Sequence, residues 1–218
     1  MEKLQKKDFV EIEFIGKVKN GGIFDTNIEE EAKKININIK SRPLIICLGE
    51  GMILPAIDNF LIGKKLGDYT LELSTKEGFG ERKRELVKTM SISVFKKQDV
   101  EPRPGMVFVF DSVMGRISAV SGGRVIVDFN NPLAGKELVY EIKVKNIVKD
   151  ERERVKALMR FFFGKELEFE IKEKKIIVEA EKEYVSLIEV FKGKFKDILG
   201  LEFDVKEVEK KEETNFKD

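Results

Sequence analysis

The chain contains no histidine and no tryptophan, one cysteine and five prolines among 218 residues. Each shortage removes a class of chemistry. Without His there is no Ser-His-Asp or Cys-His nucleophile system, and no His-ligated zinc. The lone thiol, Cys47, cannot close an internal disulfide, which fits a reducing cytoplasm. Its setting, Leu44-Ile45-Ile46-Cys47-Leu48, reads as a buried strand, so Cys47 is expected as core rather than as a reactive thiol. Phosphate-cradling motifs are missing too: there is no G-x-x-x-x-G-K-[ST], and Gly49-Glu50-Gly51 lacks the third glycine of a dinucleotide fingerprint. Charge of one sign is also lacking. Lys and Arg number 41 against 40 Asp and Glu, leaving +1, so neither a nucleic-acid-binding field nor an acidic tail is expected. The carboxylates are scattered, and we expect no metal and no cofactor. No apolar run approaches the ~18 residues of a membrane span, and the stretch Met1-Glu2-Lys3-Leu4-Gln5-Lys6-Lys7 lacks the apolar region of a signal peptide. A soluble cytoplasmic protein with no membrane or nucleic-acid partner is the expectation.

Several periodic segments are present. Val10, Ile12 and Phe14 alternate with Glu11 and Glu13, the signature of a half-buried antiparallel strand. Asn20-Gly21-Gly22 turns the chain, and Phe24-Asp25 begins the return. Residues 26–41 read as a polar connecting flap. Pro55 suits the first turn of a short helix ending near Gly63, with Ala56, Ile57, Phe60 and Leu61 on its apolar face. Tyr69, Leu71 and Leu73 alternate as a strand, and Leu138, Tyr140 and Ile142 as a later one. Between them Thr89 to Phe95 reads as a short strand or turn, and Met106–Phe110, Gly115–Ala119 and Arg124–Asp128 as strands around Gly and Ser turns. A third pattern starts at Asp150, a candidate cap for a helix carrying Val155, Leu158, Met159 and Phe162 and stopped by Gly164. A hairpin about Glu173-Lys174-Lys175, a second amphipathic helix over Val185–Leu199 and a strand Leu201–Val205 complete an α-β-β-α-β order.

The ordered set Val10-Glu11-Ile12-Glu13-Phe14-Ile15-Gly16, Phe24-Asp25, Leu48 to Ile57, Glu77-Gly78-Phe79-Gly80 and Asn131 to Ile142 resembles FKBP-type peptidyl-prolyl isomerases. Thr89 to Phe95, Pro104-Gly105-Met106-Val107-Phe108 and Val127-Asp128 are similar to the insert-in-flap module of the SlyD branch, here in a long, archaeal-type chain. The resemblance implies an α+β fold, an antiparallel sheet wrapped on a short helix, with a small all-β insert; the residue pattern adds a C-terminal α+β domain. The resemblance also implies an isomerase domain over residues 1–82 and 130–149 and a chaperone insert over 83–129; the C-terminal domain over 150–218 is read from the residue pattern alone, and no family is recognised for it. By the same resemblance Asp25, Phe24, Ile53, Leu54, Phe79 and Tyr140 carry catalysis, with Phe14, Ile57 and Leu133 on the substrate and Met90, Val94, Phe95, Met106 and Phe108 on unfolded clients. The Ile53 backbone N–H is the expected anchor for the substrate peptide.

Such chemistry needs no nucleophile. The obstacle is the partial double bond of the X–Pro amide, a barrier of about 20 kcal/mol. Twisting breaks the amide resonance and leaves the bond less dipolar than in the planar ground state, so a dry apolar pocket favours the twisted state. This chain departs from the family in having Phe14 and Phe79 where Tyr is usual, which removes two oriented hydroxyl donors, and Ala56 where Gly is usual. It also lacks the His/Cys-rich metal-binding tail of many SlyD proteins. The expected activity is prolyl isomerisation with chaperone capture of unfolded or partly folded proline-containing proteins; a holdase with a weakened isomerase pocket is the alternative. The run Phe161-Phe162-Phe163 is either domain core or an oligomer seam or client-binding surface, and surplus aromatic surface over residues 150–218 leads us to expect a homodimer formed there.

Overall fold

The structure, a computed structural model, describes residues 2–39, 43–110 and 112–208. Residues 40–42, at the end of the expected flap and just beyond it, and residues 209–218 of the expected C-terminal domain lie outside that range. The fold is mixed α+β, with antiparallel sheets and few helices. Strand β1 (Phe9–Val18) buries Val10, Ile12 and Phe14 and leaves Glu11 and Glu13 partly exposed, as its alternation requires. After β2 (Ile23–Thr26) comes α1 (Glu29–Lys34), a six-residue helix inside the segment read as a flap. It has no apolar stripe to announce it: Ala32 is its one buried residue, and its support is local, with three Glu in the first turn and the pairs Glu29–Lys33 and Glu31–Lys34.

Strand β3 (Leu44–Cys47) runs antiparallel to β1, Phe9 opposite Cys47 and Ile12 opposite Leu44. The helix α2 (Pro55–Leu61) starts with Pro at its first position and buries Ile57 and Leu61. Strands β4 (Gly67–Leu73) and β9 (Leu138–Ile147) complete a sheet of order β2-β1-β9-β4, with β3 added on β1.

Between β4 and β9 lie β5 (Val87–Ser91), α3 (Ile92–Lys96), β6 (Val107–Phe110), β7 (Val113–Ser121) and β8 (Arg124–Asp128). Their sheet is antiparallel throughout, in the order β5-β8-β7-β6. The segment read as one short strand or turn is divided at Ser91. Its hydroxyl oxygen accepts the Ser93 N–H and starts α3, turning Phe95 into a core of Ile117, Val125 and Val127.

At the C-terminal end α4 (Glu151–Phe163) is capped by Asp150, whose carboxylate accepts the Glu153 N–H at 2.9 Å, and ends at Gly164 with φ of 73°. Strands β10 (Phe169–Lys172) and β11 (Lys175–Glu181) form the hairpin, with Glu173 and Lys174 at positive φ. Helix α5 (Lys182–Leu199) then crosses over, so β12 (Glu202–Val208) pairs with β11 in parallel. The core of this segment, with Phe163, Ile176, Val178, Ile188, Phe195 and Phe203, is continuous with Phe9, Ile45 and Cys47 of the first sheet.

By compactness the chain divides into two units. One comprises Met1–Ile15, Asp25–Leu71 and Glu141–Asp218, and the other Gly16–Phe24 and Glu72–Tyr140.

Candidate active site

In the first unit the residues singled out from sequence are Phe14, Asp25, Ile53, Leu54 and Ile57. Phe14 is buried, and its backbone is fixed from both sides: its N–H donates to Asn27 Oδ1 at 2.8 Å, and its carbonyl accepts the Thr26 hydroxyl at 2.7 Å. The Asn27 amide also donates to the Ile12 carbonyl at 2.8 Å. Two side chains following Asp25 therefore stitch the end of β2 to β1. Because strand side chains alternate, burying Thr26 turns Asp25 outward to an exposed position. Crowding around Asp25 still removes enough water to push its carboxyl above the usual carboxylate range, while a hydrogen bond with the Thr26 backbone pulls the other way.

Ile53 and Leu54 lie on the loop between β3 and α2, both partly exposed, and Ile57 is fully buried beneath them in sequence on α2. The loop turns through Gly49 and Gly51, at φ of 81° and 72°, a region that favours glycine. Asp58, nearly fully buried, holds it: its Oδ2 accepts the Gly51 N–H at 3.2 Å, while its Oδ1 is buried without a hydrogen-bond partner. Burial raises the Asp58 carboxyl above its usual range, opposed by hydrogen bonds from the Gly49 and Gly51 backbone. Sequence reading missed this carboxylate, since one Asp in a helical first turn is an ordinary feature. Nearby, Cys47 is fully buried and its thiol is pushed up to about 12, first by burial and then by the charges of Glu50 and Asp58.

In the second unit Phe24, Phe79 and Tyr140 meet edge to face. The Phe24 ring lies 6.1 Å from Phe79 at 82° and 5.9 Å from Tyr140 at 86°. Gly16 makes the corner possible, because a Cβ there would meet Phe24 at 2.9 Å and Tyr140 at 3.1 Å. Its role was invisible in the sequence, where it reads as one glycine in a strand. The loop carrying Phe79 and the turn carrying Leu133 are joined, the Gly135 N–H donating to the Gly80 carbonyl at 2.8 Å. Asn131 shapes that turn by accepting the Leu133 N–H at 2.8 Å.

The residues assigned to client contact separate into two sets. Phe95 is buried, and Phe108 and Met90 pack against it in the core of the β5–β8 module, whereas Val94 and Met106 are exposed. The more prominent apolar surface went unpredicted: Val107 and Val109 on β6 and Val113 and Met114 on β7 are all more than half exposed. Its signal is the run Val107-Phe108-Val109-Phe110, apolar on both faces when only one can enter the core. Of these exposed residues, Val107, Val113 and Met114 line a concavity of about 500 Å³ together with Phe129 and Pro132. The stem of the module is closed by two hydrogen bonds, Lys83 N–H to Asn130 Oδ1 at 2.8 Å and Asn130 Nδ2 to the Lys83 carbonyl at 2.9 Å, and by an Arg82–Asp128 ion pair.

Among the described residues no three acidic or sulfur ligands converge as a metal site would need, and no helix is long and apolar enough to cross a membrane.

Comparison with known proteins extends these observations. Residues 88–133 match the family described as FKBP26, IF domain. A short-type peptidyl-prolyl cis-trans isomerase of Methanocaldococcus jannaschii is 32% identical over 154 residues, covering 69% of this chain and 98% of that protein. A probable FKBP-type 16 kDa peptidyl-prolyl cis-trans isomerase of Pseudomonas fluorescens is 27% identical over 124 residues, 54% of this chain and 81% of that protein. An FKBP-type isomerase of Vibrio cholerae, SlyD, is 29% identical over 120 residues, 53% of this chain and 59% of that protein.

Proposed function

Because the chain belongs to the SlyD-like FKBP-type peptidyl-prolyl cis-trans isomerases, we propose that it turns X–Pro bonds by non-covalent catalysis in a dry aromatic pocket and captures unfolded clients on its insert. The aromatic corner of Phe24, Phe79 and Tyr140 packed on Gly16 carries the pocket reading. Such walls solvate the planar, dipolar amide less well than water does and so narrow the gap to the twisted state. Asp25 supplies the polar group for the rotating carbonyl, and the Ile53 N–H binds the substrate backbone. Leu54, Ile57, Leu133 and Phe14 complete the apolar lining.

The insert, residues 83–129, acts as the capture module of a chain whose isomerase domain spans 1–82 and 130–149 and whose C-terminal domain spans 150–218. The reciprocal Lys83–Asn130 hydrogen bonds support a boundary at that point. Its exposed Val and Met residues suit varied unfolded partners, and holding a client nearby raises the local concentration of its prolines. A holdase with feeble isomerisation is the second reading, favoured by one observation, the Phe side chains at 14 and 79 in place of hydroxyl donors. Turnover of a prolyl tetrapeptide beside catalysis of proline-limited refolding separates the two. We expect Phe24→Ala and Asp25→Ala to lower tetrapeptide turnover with the fold retained; wild-type turnover in both variants refutes the pocket. Excision of residues 83–129 should spare the tetrapeptide and sharply slow refolding catalysis; a parallel fall in both refutes the division of labour.

A further inference from the structure

The loop that carries Ile53 is held from behind by the C-terminal segment. Met52 packs against the core built by Val155, Leu158, Phe163 and Phe195, and its sulfur accepts the Cys47 N–H at 3.1 Å. Two residues earlier, Glu50, largely buried, reaches Lys194 of α5 at 3.7 Å. The same helix is tied to the first strand's approach, Lys7 Nζ donating to the Asp197 carbonyl at 2.7 Å. On its other side the loop is pinned by Asp58 through Gly51. A loop with two glycines at positive φ has little rigidity of its own, so its shape is set by these anchors. Ile53 follows Met52 directly, so the peptide plane that carries its N–H starts from the Cα of a residue packed into the C-terminal core.

We propose that Met52 is a positioning residue through which the C-terminal segment sets the orientation of the Ile53 N–H, so that residues 150–208 form a working part of the isomerase site. This rests on the reading of Ile53 as the substrate anchor. An N–H that binds the peptide backbone away from the rotating bond serves the ground state and the transition state alike, so a mispositioned anchor raises KM and leaves kcat nearly unchanged. The thioether is a weak acceptor, and packing supplies most of the hold.

The test is made on the full-length chain with a prolyl tetrapeptide as substrate and the Ile53 amide resonance as a second readout. Met52→Ala is expected to move that resonance and to raise KM roughly three- to tenfold with kcat within about twofold. Met52→Leu, which restores the volume, is expected to return both to near the wild-type values. Lys194→Glu, an exposed change that cannot open the core, should shift both in the same direction by a smaller factor, and it carries the test if Met52→Ala does not fold. An unmoved Ile53 amide and unchanged KM in every folded variant overturn the coupling. If the tetrapeptide fails to perturb the Ile53 amide of the wild-type protein, the anchor itself is misassigned and the coupling falls with it.

Discussion

Replacing Phe95 by Ala should disable client capture and leave prolyl isomerisation of short peptides intact. Phe95 is 2% exposed, and its ring lies edge-on to Phe108 at 5.5 Å and to Phe110 at 5.8 Å. Truncating a Phe buried to this degree costs about 3–5 kcal/mol from lost transfer energy and the cavity left behind. A module this small gains no more than about 3–5 kcal/mol from its own core. The loss therefore matches the whole of the module's stability, and β5–β8 should open while the rest of the chain stays folded. Amide exchange would show protection lost over residues 87–128 and kept in β1 and β9; refolding of a proline-limited client would lose its catalysis, and tetrapeptide turnover would stay within about twofold. The contrasting variant is Val109→Ser with Met114→Ser, at 67% and 64% exposure. Solvent-facing changes of this kind alter stability by about 0.5 kcal/mol or less each, so protection should persist while capture falls. Refolding catalysis at the wild-type level in Phe95→Ala would refute the assignment of Phe95 to the core, and unchanged capture in the serine double variant would refute the exposed face as the client surface.

Three further outcomes follow from the same geometry. Desolvation raises the Asp25 carboxyl above its ordinary value of 3.8, so its charge costs stability near neutrality and the cost fades as pH falls through the raised value; turnover that needs the carboxylate should fall over that same interval. An acid limb that persists in Asp25→Asn would assign the effect elsewhere. The Cys47 thiol, pushed up to about 12, should resist a disulfide reagent at pH 8 and react once the protein is unfolded in guanidinium; fast reaction in the folded state would contradict its burial. We propose a homodimer through residues 150–218, where Phe161 and Val190 are the exposed large apolar side chains among the described residues; light scattering should then show a concentration-dependent rise toward twice the monomer mass that Phe161→Glu abolishes, and monomer mass at every concentration ends the idea.

Elements with their own periodicity and punctuation could be read from the sequence. Strand β1 alternates over a two-sided environment, and α4 has both its Asp150 cap and its Gly164 stop, so each could be placed without knowing its neighbours. Cys47 was legible as core because four apolar neighbours leave a strand no polar face to show. Helices α1 and α3 were not, being six and five residues long and held by ion pairs or by a serine cap rather than by an apolar stripe. In the β5–β8 module the two apolar faces of β6 could not be ranked from sequence, since which one enters the core depends on where Phe95 lies, and that depends on the unread helix α3. The third pattern was right in its order of elements, yet its core reaches Phe9, Ile45, Cys47 and Met52 more than a hundred residues away, and no local window holds such pairs. The aromatic surplus expected to need a partner is largely covered there: Phe195 and Phe163 are buried and stacked 5.8 Å apart, and Phe162 stacks on Phe191 at 4.6 Å.

By the family resemblance a Tyr hydroxyl at position 14 would brace the Asp and one at position 79 would bind a ligand carbonyl, so Phe14 leaves Asp25 without that brace. Its placement then depends on the backbone. Thr26 and Asn27 make hydrogen bonds of 2.7 and 2.8 Å to the carbonyl and N–H of Phe14, the residue whose ring lacks the hydroxyl. Two backbone anchors fix the direction in which the strand presents Asp25, and its carboxylate keeps a hydrogen bond with the Thr26 backbone, whereas a hydroxyl donor would lower the carboxyl further by favouring its charged form. The raised Asp25 carboxyl agrees with this, since a single backbone hydrogen bond opposes the loss of water. A carboxylate held by one backbone hydrogen bond, without a hydroxyl donor, keeps some freedom of orientation. In the role proposed for Asp25, such freedom would suit a carbonyl that sweeps through an arc, and it would lower affinity for a rigid ligand that needs the donor in place.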